Sequence, residues 1–495
     1  MPLVGRSLYA FAQLLVLRLP NLVGLMLLTR YRGAGAAGLF GLAITYLILL
    51  TTWWVGLDEL IVRETARSGD SVDQRSIQRY GLLRVGVSIL LYLAVVGFLW
   101  FTGAYEPVEL GFIAVFLTSS IADGFTGAVQ AGLVGRERFA DAFGMSAAQT
   151  VVRVCLVAAA LLRDLSLIAV AWAWTLGAVA GVGIAIIALR WAIPSRAGIT
   201  SVYFLTRTMR QWIAEGWAFL VIGILVTVEF QQDIIVLSAF QPMSTVGYYS
   251  AATTLFAAVA LPIQALRMVL FPHMARTAVS DPTFDGDDVA RQAGARAEMR
   301  IRNLHTYSVQ WLLAAGLLFG FLGFAYAEPL IVLLFGQNML PAVPSTRLLM
   351  VAIVFLALNV PQSRLLLATG RQNRTAALIA ASTLANLLAN LVLARAYGAP
   401  GAAVARNIST ALYLALALFT LAGSIRRPAW PALVAPFVAL AVAAAIALLL
   451  RGWLWWIAAS IAFAVYVLTL ITVLKATHAW EPACGSESAA AEMQT

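Results

Sequence analysis

Residues 27–45, LLTRYRGAGAAGLFGLAIT, form a tight turn rich in glycine and alanine between two long apolar runs, and they return as residues 236–254, VLSAFQPMSTVGYYSAATT. Aligned, Gly38 falls on Gly247, Phe40 on Tyr249, Ala43 on Ala252 and Thr45 on Thr254, a constant offset of 209 residues. A pair of apolar helices joined by a short turn, and then repeated, is the pattern of a transporter built from two similar halves.

The composition agrees. Of 495 residues, 61% are hydrophobic and 11% charged, with a mean hydropathy of +0.87. A water-soluble chain cannot hide that much apolar surface, so the sequence predicts a polytopic membrane protein. The first apolar run lacks a short hydrophobic region followed by an A-x-A site, which predicts a retained span rather than a cleaved signal. Cys155 lies inside an apolar run and Cys484 in the tail, so neither metal spacing nor a disulfide is expected.

Apolar runs long enough to span recur at 9–28, 36–54, 82–101, 110–133, 143–162, 166–191, 215–240, 246–270, 307–326, 345–367, 376–396, 402–422, 432–450 and 453–474. The fold class expected is all-α, with about 14 transmembrane helices. Gly135-Arg136-Glu137-Arg138 closes the fourth span, and Gly370-Arg371-Gln372-Asn373-Arg374 closes the tenth. Spans one to six therefore match seven to twelve, in the same orientation, and the last two are appended. The domains expected are an N-lobe at 1–212, a C-lobe at 213–424 with a cytoplasmic loop at 271–303, extra helices at 425–475 and a polar, disordered tail at 476–495.

The net charge is +10, and the basic residues are arginine except for Lys475. They collect in alternate loops: Arg63, Arg67, Arg75 and Arg79; Arg136 and Arg138; Arg190 to Arg210; Arg276 to Arg302; Arg371 and Arg374; Arg426 and Arg427. The opposite loops hold only Arg30, Arg32, Arg163, Arg395 and Arg451. By the positive-inside rule both termini are cytoplasmic, and the basic balance needs no nucleic-acid partner. The loop segment DPTFDGDD at 281–288 lacks the spacing of a calcium loop; Asp287 and Asp288 are expected to start a surface helix ending at Arg300 and Arg302.

Ionisable groups deep in a span are costly, and each is a candidate for function. Arg18 lies mid-way along the first span beside Pro20 and Asn21. Asp123 and Arg153 lie mid-way along the fourth and fifth. Glu229 and Asp233 sit one turn apart on one face of the seventh. One reading places Arg18 in a central cavity, binding an anionic head group through its planar fork, with Glu229, Asp233 or Asp123 coupling a cation or acting as a gate. The other pairs Arg18 with Glu229 or Asp233 to hold the lobes together. Arg267 and Arg364, near the cytoplasmic ends of their spans, either snorkel or face the cavity. Arg153 has Asp123 as a candidate partner, and Arg406 reads as interfacial. Asn386 and Asn390 are expected to bridge helices. Trp53, Trp54, Trp453, Trp455 and Trp456 fit an interfacial belt. Pro20, Pro262 and Pro361 interrupt helices that should line the cleft, where bending could drive opening.

No G-x-x-x-x-G-K-[ST] segment is present, and His273, His305 and His478 do not cluster, so no catalytic centre, metal or cofactor is expected. The pair Asp58-Glu59 would face the cytoplasm, and there is no large outer loop to house an active site.

The chain resembles the polysaccharide and lipid-linked oligosaccharide flippases, the Wzx-type members of the multidrug/oligosaccharidyl-lipid/polysaccharide superfamily. The segments that carry the resemblance are LLTRYRGAGAAGLFGLA, GLDELIVRETAR at 56–67, Asp233 with VGYYSAATTL, ALRMVLFPHMA at 265–275, EPLIVLLFG at 328–336, LLLATGRQNR at 365–374 and YGAPGAAVARNIS at 397–409. The resemblance implies a V-shaped pair of six-helix lobes in the bacterial inner membrane, working by alternating access. It implies as cargo an undecaprenyl-diphosphate-linked glycan carried to the outer leaflet, with Arg18 in the position of a diphosphate-binding cation. Proton or sodium coupling, and a polymerase or other polysaccharide-assembly protein as partner, fit the same family. The two extra C-terminal helices are similar to those of lipid II flippases. An ion-coupled multidrug antiporter of the same superfamily is the alternative, with Glu229, Asp233 and Asp123 holding a cationic drug. A membrane glycan polymerase or transferase ranks third.

Overall fold

With no water in the bilayer core, each backbone amide must find its partner inside its own segment, so a chain this apolar has to be helical where it spans. The computed structural model describes residues 3–54, 57–58, 61–62, 65–66, 74–192, 217–264, 287–368, 371–422, 430–450 and 453–476. Among these there is no strand. The helices are α1 (Leu3–Thr52), α2 (Gln74–Thr102), α3 (Pro107–Leu117), α4 (Ser119–Gly135), α5 (Phe139–Leu162), α6 (Leu167–Ala192) and α7 (Trp217–Phe240). They continue as α8 (Met243–Val259), α9 (Asp287–Ala325), α10 (Ala327–Phe335), α11 (Val343–Ala368), α12 (Gln372–Leu421), α13 (Trp430–Leu449) and α14 (Trp455–Ala476).

Two of these are pairs of spans read as one helix. Gly33 (φ +80) breaks α1, and Gly398 (φ +62) breaks α12. Both angles lie in the left-handed region that costs glycine nothing, which is how the chain reverses in a single residue. Span four is split instead into α3 and α4 around Thr118, with Glu106 and Glu109 forming a capping box at its start. Ten helices among the described residues are long and apolar enough to cross a membrane, and Leu433–Leu449 is a shorter apolar helix. One expectation is corrected. Asp287 does start a helix, but that helix runs on through Arg302 to Ala325 as part of the ninth span, since nothing after Arg302 breaks it.

The chain forms two compact units. The first holds Met1–Thr254, Leu334–Ala342 and Asn386–Ala402. In it α1 packs on α5 and α7, α2 on α4, and α6 on both α4 and α5. An aromatic stack anchors it: the Phe116 and Trp174 rings lie 4.9 Å apart and nearly parallel, and Phe40 stands edge-on to them at 5.5 and 5.4 Å. Such pairs add to ordinary burial. Arg32, at the turn of α1, reaches Asp164 at 2.7 Å and the carbonyl of Leu165 at 2.6 Å.

The two copies of the repeated stretch meet inside this unit. A Cβ on Gly38 would collide with the Met243 carbonyl and lie 2.8 Å from the Gly247 nitrogen. A Cβ on Gly247 would collide with the Ala34 carbonyl and lie 3.0 Å from the Gly38 nitrogen. Ala34 and Met243 are themselves related by the repeat offset, so the contact is reciprocal. One turn further, a Cβ on Gly41 would lie 2.6 Å from Cβ of Ser250, again its repeat partner. Small residues let the backbones of α1 and α8 touch, as in membrane helix pairs generally.

The second unit holds Leu255–Leu333, Val343–Ala385 and Ala403–Thr495. There α9 packs closely on α11: a Cβ on Gly316 would lie 2.7 Å from that of Ala357, and one on Gly320 2.9 Å from the Met350 carbonyl. The appended helices dock on α9 through Ala435, Ala439 and Ala443, spaced one turn apart, and through the Tyr466 hydroxyl, which donates to the Ala314 carbonyl at 2.9 Å.

Candidate functional site

In the first unit α7 carries Glu229 and Asp233 one turn apart, both buried. Asp233 is fully enclosed. Its Oδ2 accepts the Tyr249 hydroxyl of α8 at 2.6 Å, and its Oδ1 accepts the side-chain amides of Asn386 and Asn390 of α12 at 2.8 and 2.9 Å. The Asn386 amide also reaches the backbone carbonyl of Glu229 at 3.2 Å, and that of Asn390 reaches Asn386 Oδ1 at 2.9 Å. These three side-chain donors converge on the carboxylate from two neighbouring helices. Asn390 Oδ1 is buried without a hydrogen-bond partner among the described residues. Carboxylate and amide oxygens are the ligands a hard cation takes, so the donor set fits either a proton or an alkali cation. Among the described residues no group of three or more His, Cys, Asp and Glu could hold a metal ion.

Asp123 of α4 is elsewhere in the same unit and already has a cation. Arg153 of α5 contacts both its oxygens at 2.8 and 3.1 Å, and Gln149 donates to Oδ1 at 3.1 Å. The guanidinium lies over the Trp174 ring, 4.6 Å from its centre. Gly177 and Gly181 of α6 make the room: a Cβ at either would lie within 3.0 Å of Arg153 or Gln149.

Arg18 of α1 differs from these. It is exposed, and it makes no ion pair or hydrogen bond with the described residues. Its neighbour Asn21 is half-buried, and Pro20 is buried within the helix. The structure gives Asp233 the partners Tyr249, Asn386 and Asn390, a convergence of three helices that spacing along the chain does not show.

In the second unit Arg364 and Pro361 lie in α11, the first half-buried and the second buried. Pro262 lies two residues past a break at Ala260, after the end of α8, and borders an apolar cavity of about 280 Å³ with Phe319, Tyr326 and Trp455. Arg406 is corrected from interfacial to buried, at 2% exposure, because its face of α12 packs inward beside Asn407, which donates to the Leu348 carbonyl at 2.8 Å. His305 is buried against Gln362 at 3.0 Å. Arg267 lies outside the described residues.

A third ionic cluster went unrecognised in the sequence. Arg84 of α2 is buried, bonds Asp58, and stacks over Trp54 and Tyr80, 5.0 and 5.7 Å from the ring centres. The Tyr80 hydroxyl donates to Asp58 at 2.7 Å. Burial pushes the Asp58 carboxyl up, against the pull of Arg84 and Tyr80. Trp54 is thus corrected from belt residue to core: it packs with Leu57, Ile61 and Ala128.

A sequence profile of a family described as polysaccharide biosynthesis protein matches residues 5–278, more than half of the chain. The chain belongs to the polysaccharide biosynthesis protein family. No curated protein matches it. Among solved structures, this family member is similar to lipid II flippase MurJ in an inward closed conformation, with a TM-score of 0.69 at 13% identity over 95% of this chain and 99% of that one. It is also similar to an inward-facing multidrug resistance MATE family transporter of the MOP superfamily, with a TM-score of 0.63 at 14% identity over 84% of this chain and 98% of that one. A MOP superfamily transporter from Pyrococcus furiosus follows at 0.51 and 13% identity, over 85% and 96%. At these identities the structures speak for the fold. Family and fold together make this polysaccharide biosynthesis protein a multi-pass membrane protein with the helical architecture shared by the lipid II flippase and MATE structures.

Proposed function

We propose that this transporter flips an undecaprenyl-diphosphate-linked oligosaccharide from the cytoplasmic to the outer leaflet of the bacterial inner membrane, with both termini cytoplasmic, for polysaccharide assembly. The observation that carries the reading is the contrast between two deep arginines. Arg153 is spent on Asp123, whereas Arg18 is exposed and without a partner among the described residues. A cation kept at such a depth is costly unless something anionic visits it, and the fork of a guanidinium suits a diphosphate. Asn21, Arg364 and Arg267 are proposed to assist. Asp233, with Glu229 beside it, is proposed as the site where a proton or sodium ion enters, because its oxygen-rich shell holds an unpartnered amide oxygen. Asp123 is assigned to neutralising Arg153. Pro20, Pro262 and Pro361 are proposed bending points, and a polymerase of the same assembly line is the proposed protein partner.

Two observations keep other cargoes in view. The match to a lipid II flippase extends over more of this chain than the match to the MATE transporter, 95% against 84%, which favours a lipid II-type cargo as the second reading. The acidic pair on α7 favours a cationic drug as the third. The test of the head-group site is lipid flipping by Arg18→Ala and Arg18→Lys in proteoliposomes. The alanine variant should insert normally and lose flipping, and the lysine variant should retain part of it. Full activity of Arg18→Ala would remove Arg18 from the site.

A further inference from the structure

Helix α8 is in contact on two sides at once. At Gly247 and Ser250 it meets the backbone and glycines of α1, and at Tyr249 it meets Asp233 of α7. Positions 247 and 249 project about 200° apart on a helix of 3.6 residues per turn, so α8 is wedged between its repeat partner and the carboxylate. The repeat provides an internal comparison. In the first copy the position equivalent to Tyr249 is Phe40, whose ring packs edge-on to Phe116 and Trp174 and has no hydroxyl to offer. The two copies therefore share the crossing, and only the second ties it to an ionisable group.

We propose that Tyr249 is a positioning residue that couples the charge on Asp233 to the α1–α8 crossing. The proposal rests on reading Asp233 as the site a cation enters. While the carboxylate is bare, Tyr249 donates to Oδ2 and α8 is held against α7, seated on α1. A cation on Asp233 competes for the same oxygen lone pairs, and a proton converts that oxygen to a donor. Either event weakens the charge-assisted bond that the phenol donates, and α8 is held less firmly in rotation and depth. Because Gly38 and Gly247 touch backbone to backbone, a shift of α8 is transmitted at once to the crossing. The stretches of these elements that meet around Asp233 carry one other charged group. Residues 33–52 of α1, all of α8, and residues 376–394 of α12 contain no charged side chain, and on α7 the other ionisable group is Glu229.

The experiment uses the full-length protein in nanodiscs, with Cys155 and Cys484 changed to serine and spin labels at the exposed positions Tyr31 and Phe240. Electron–electron distances are compared in sodium chloride and choline chloride at fixed pH, and then across pH in choline, which separates a sodium effect from a proton effect. Sodium-22 binding is measured in parallel. In the unsubstituted background the distance should respond to one of the two cations, and Asp233→Asn should abolish the response. Tyr249→Phe should bind that cation about tenfold more tightly, since the competing charge-assisted bond is gone, while the distance ceases to respond. Phe40→Leu should leave the response intact. A Tyr249→Phe protein that responds like the unsubstituted one would overturn the role of Tyr249 and leave the cation site standing. A response that is absent from the start, or that survives Asp233→Asn, would overturn both.

Discussion

Placing a methyl group at the crossing of the two repeats should destabilise the protein in a way that depends on which glycine receives it. In Gly38→Ala the new Cβ lies 2.8 Å from the Gly247 nitrogen and 2.9 Å from the Met243 carbonyl carbon. Carbon contacts are comfortable at about 3.5–4.0 Å, and the obstructing atoms are backbone, which cannot rotate away. The helices must therefore separate by on the order of 1 Å, an overpacking cost of about 1–3 kcal/mol. Gly247→Ala meets the same obstacle from the other side, 3.0 Å from the Gly38 nitrogen, and should cost the same. Once the helices have parted, the second methyl enters space already opened. The double variant should then lie within about 1 kcal/mol of the worse single one, rather than at the sum. Gly35→Ala is the control: its Cβ meets nothing within 4 Å, and it should stay within about 0.5 kcal/mol of the parent. The assay is denaturation of the purified protein in mixed micelles. Additive losses, or a Gly38→Ala indistinguishable from Gly35→Ala, would refute the reciprocal contact.

Asp123→Asn should strand the Arg153 guanidinium in a buried site and cost about 3–5 kcal/mol, while Asp123→Leu with Arg153→Met should recover most of it; a double variant as unstable as the single one would mean the pair does more than neutralise itself. Arg84→Met, which leaves Asp58 with Tyr80 alone, should lower the denaturation midpoint by about 3 kcal/mol in equivalent stability, with a change under about 0.5 kcal/mol counting against the aromatic cage as a structural support. Asp233→Asn should remove the cation dependence of transport, and Glu229→Gln should weaken it. Transport whose response to sodium and pH is unchanged in both would place coupling elsewhere.

The repeat, the order of spans and the glycine turn of the first pair could be read from the chain because a hydrophobic run and a turn residue declare themselves locally. The alignment of Gly38 with Gly247 lies in the sequence, and in the structure the two touch. Direction around each helix was not legible. In a span that is apolar all round, lipid-facing and protein-facing positions look alike, so periodicity could not say that Arg406 and Trp54 point inward or that Asn386 and Asn390 converge on Asp233. Arg84 sits near a span end, where snorkelling is the ordinary outcome, so its position in the chain does not declare it buried; the sign lies in Gly127, where a Cβ would come within 2.7 Å of the guanidinium. Tyr249 had one signal, a hydroxyl in one copy of the repeat where the other has Phe40. That difference acquires meaning only when Asp233 is seen beside it.

The most direct test of the central claim is flipping by the purified protein in proteoliposomes, using a fluorescent undecaprenyl-diphosphate saccharide and a probe that reaches only the outer face. A lipid-linked oligosaccharide flippase predicts protein-dependent loss of protection, abolished by Arg18→Ala. Failure to move that lipid, together with proton- or sodium-driven efflux of a cationic dye through Asp233, would contradict the account and make the protein a drug antiporter of the same superfamily.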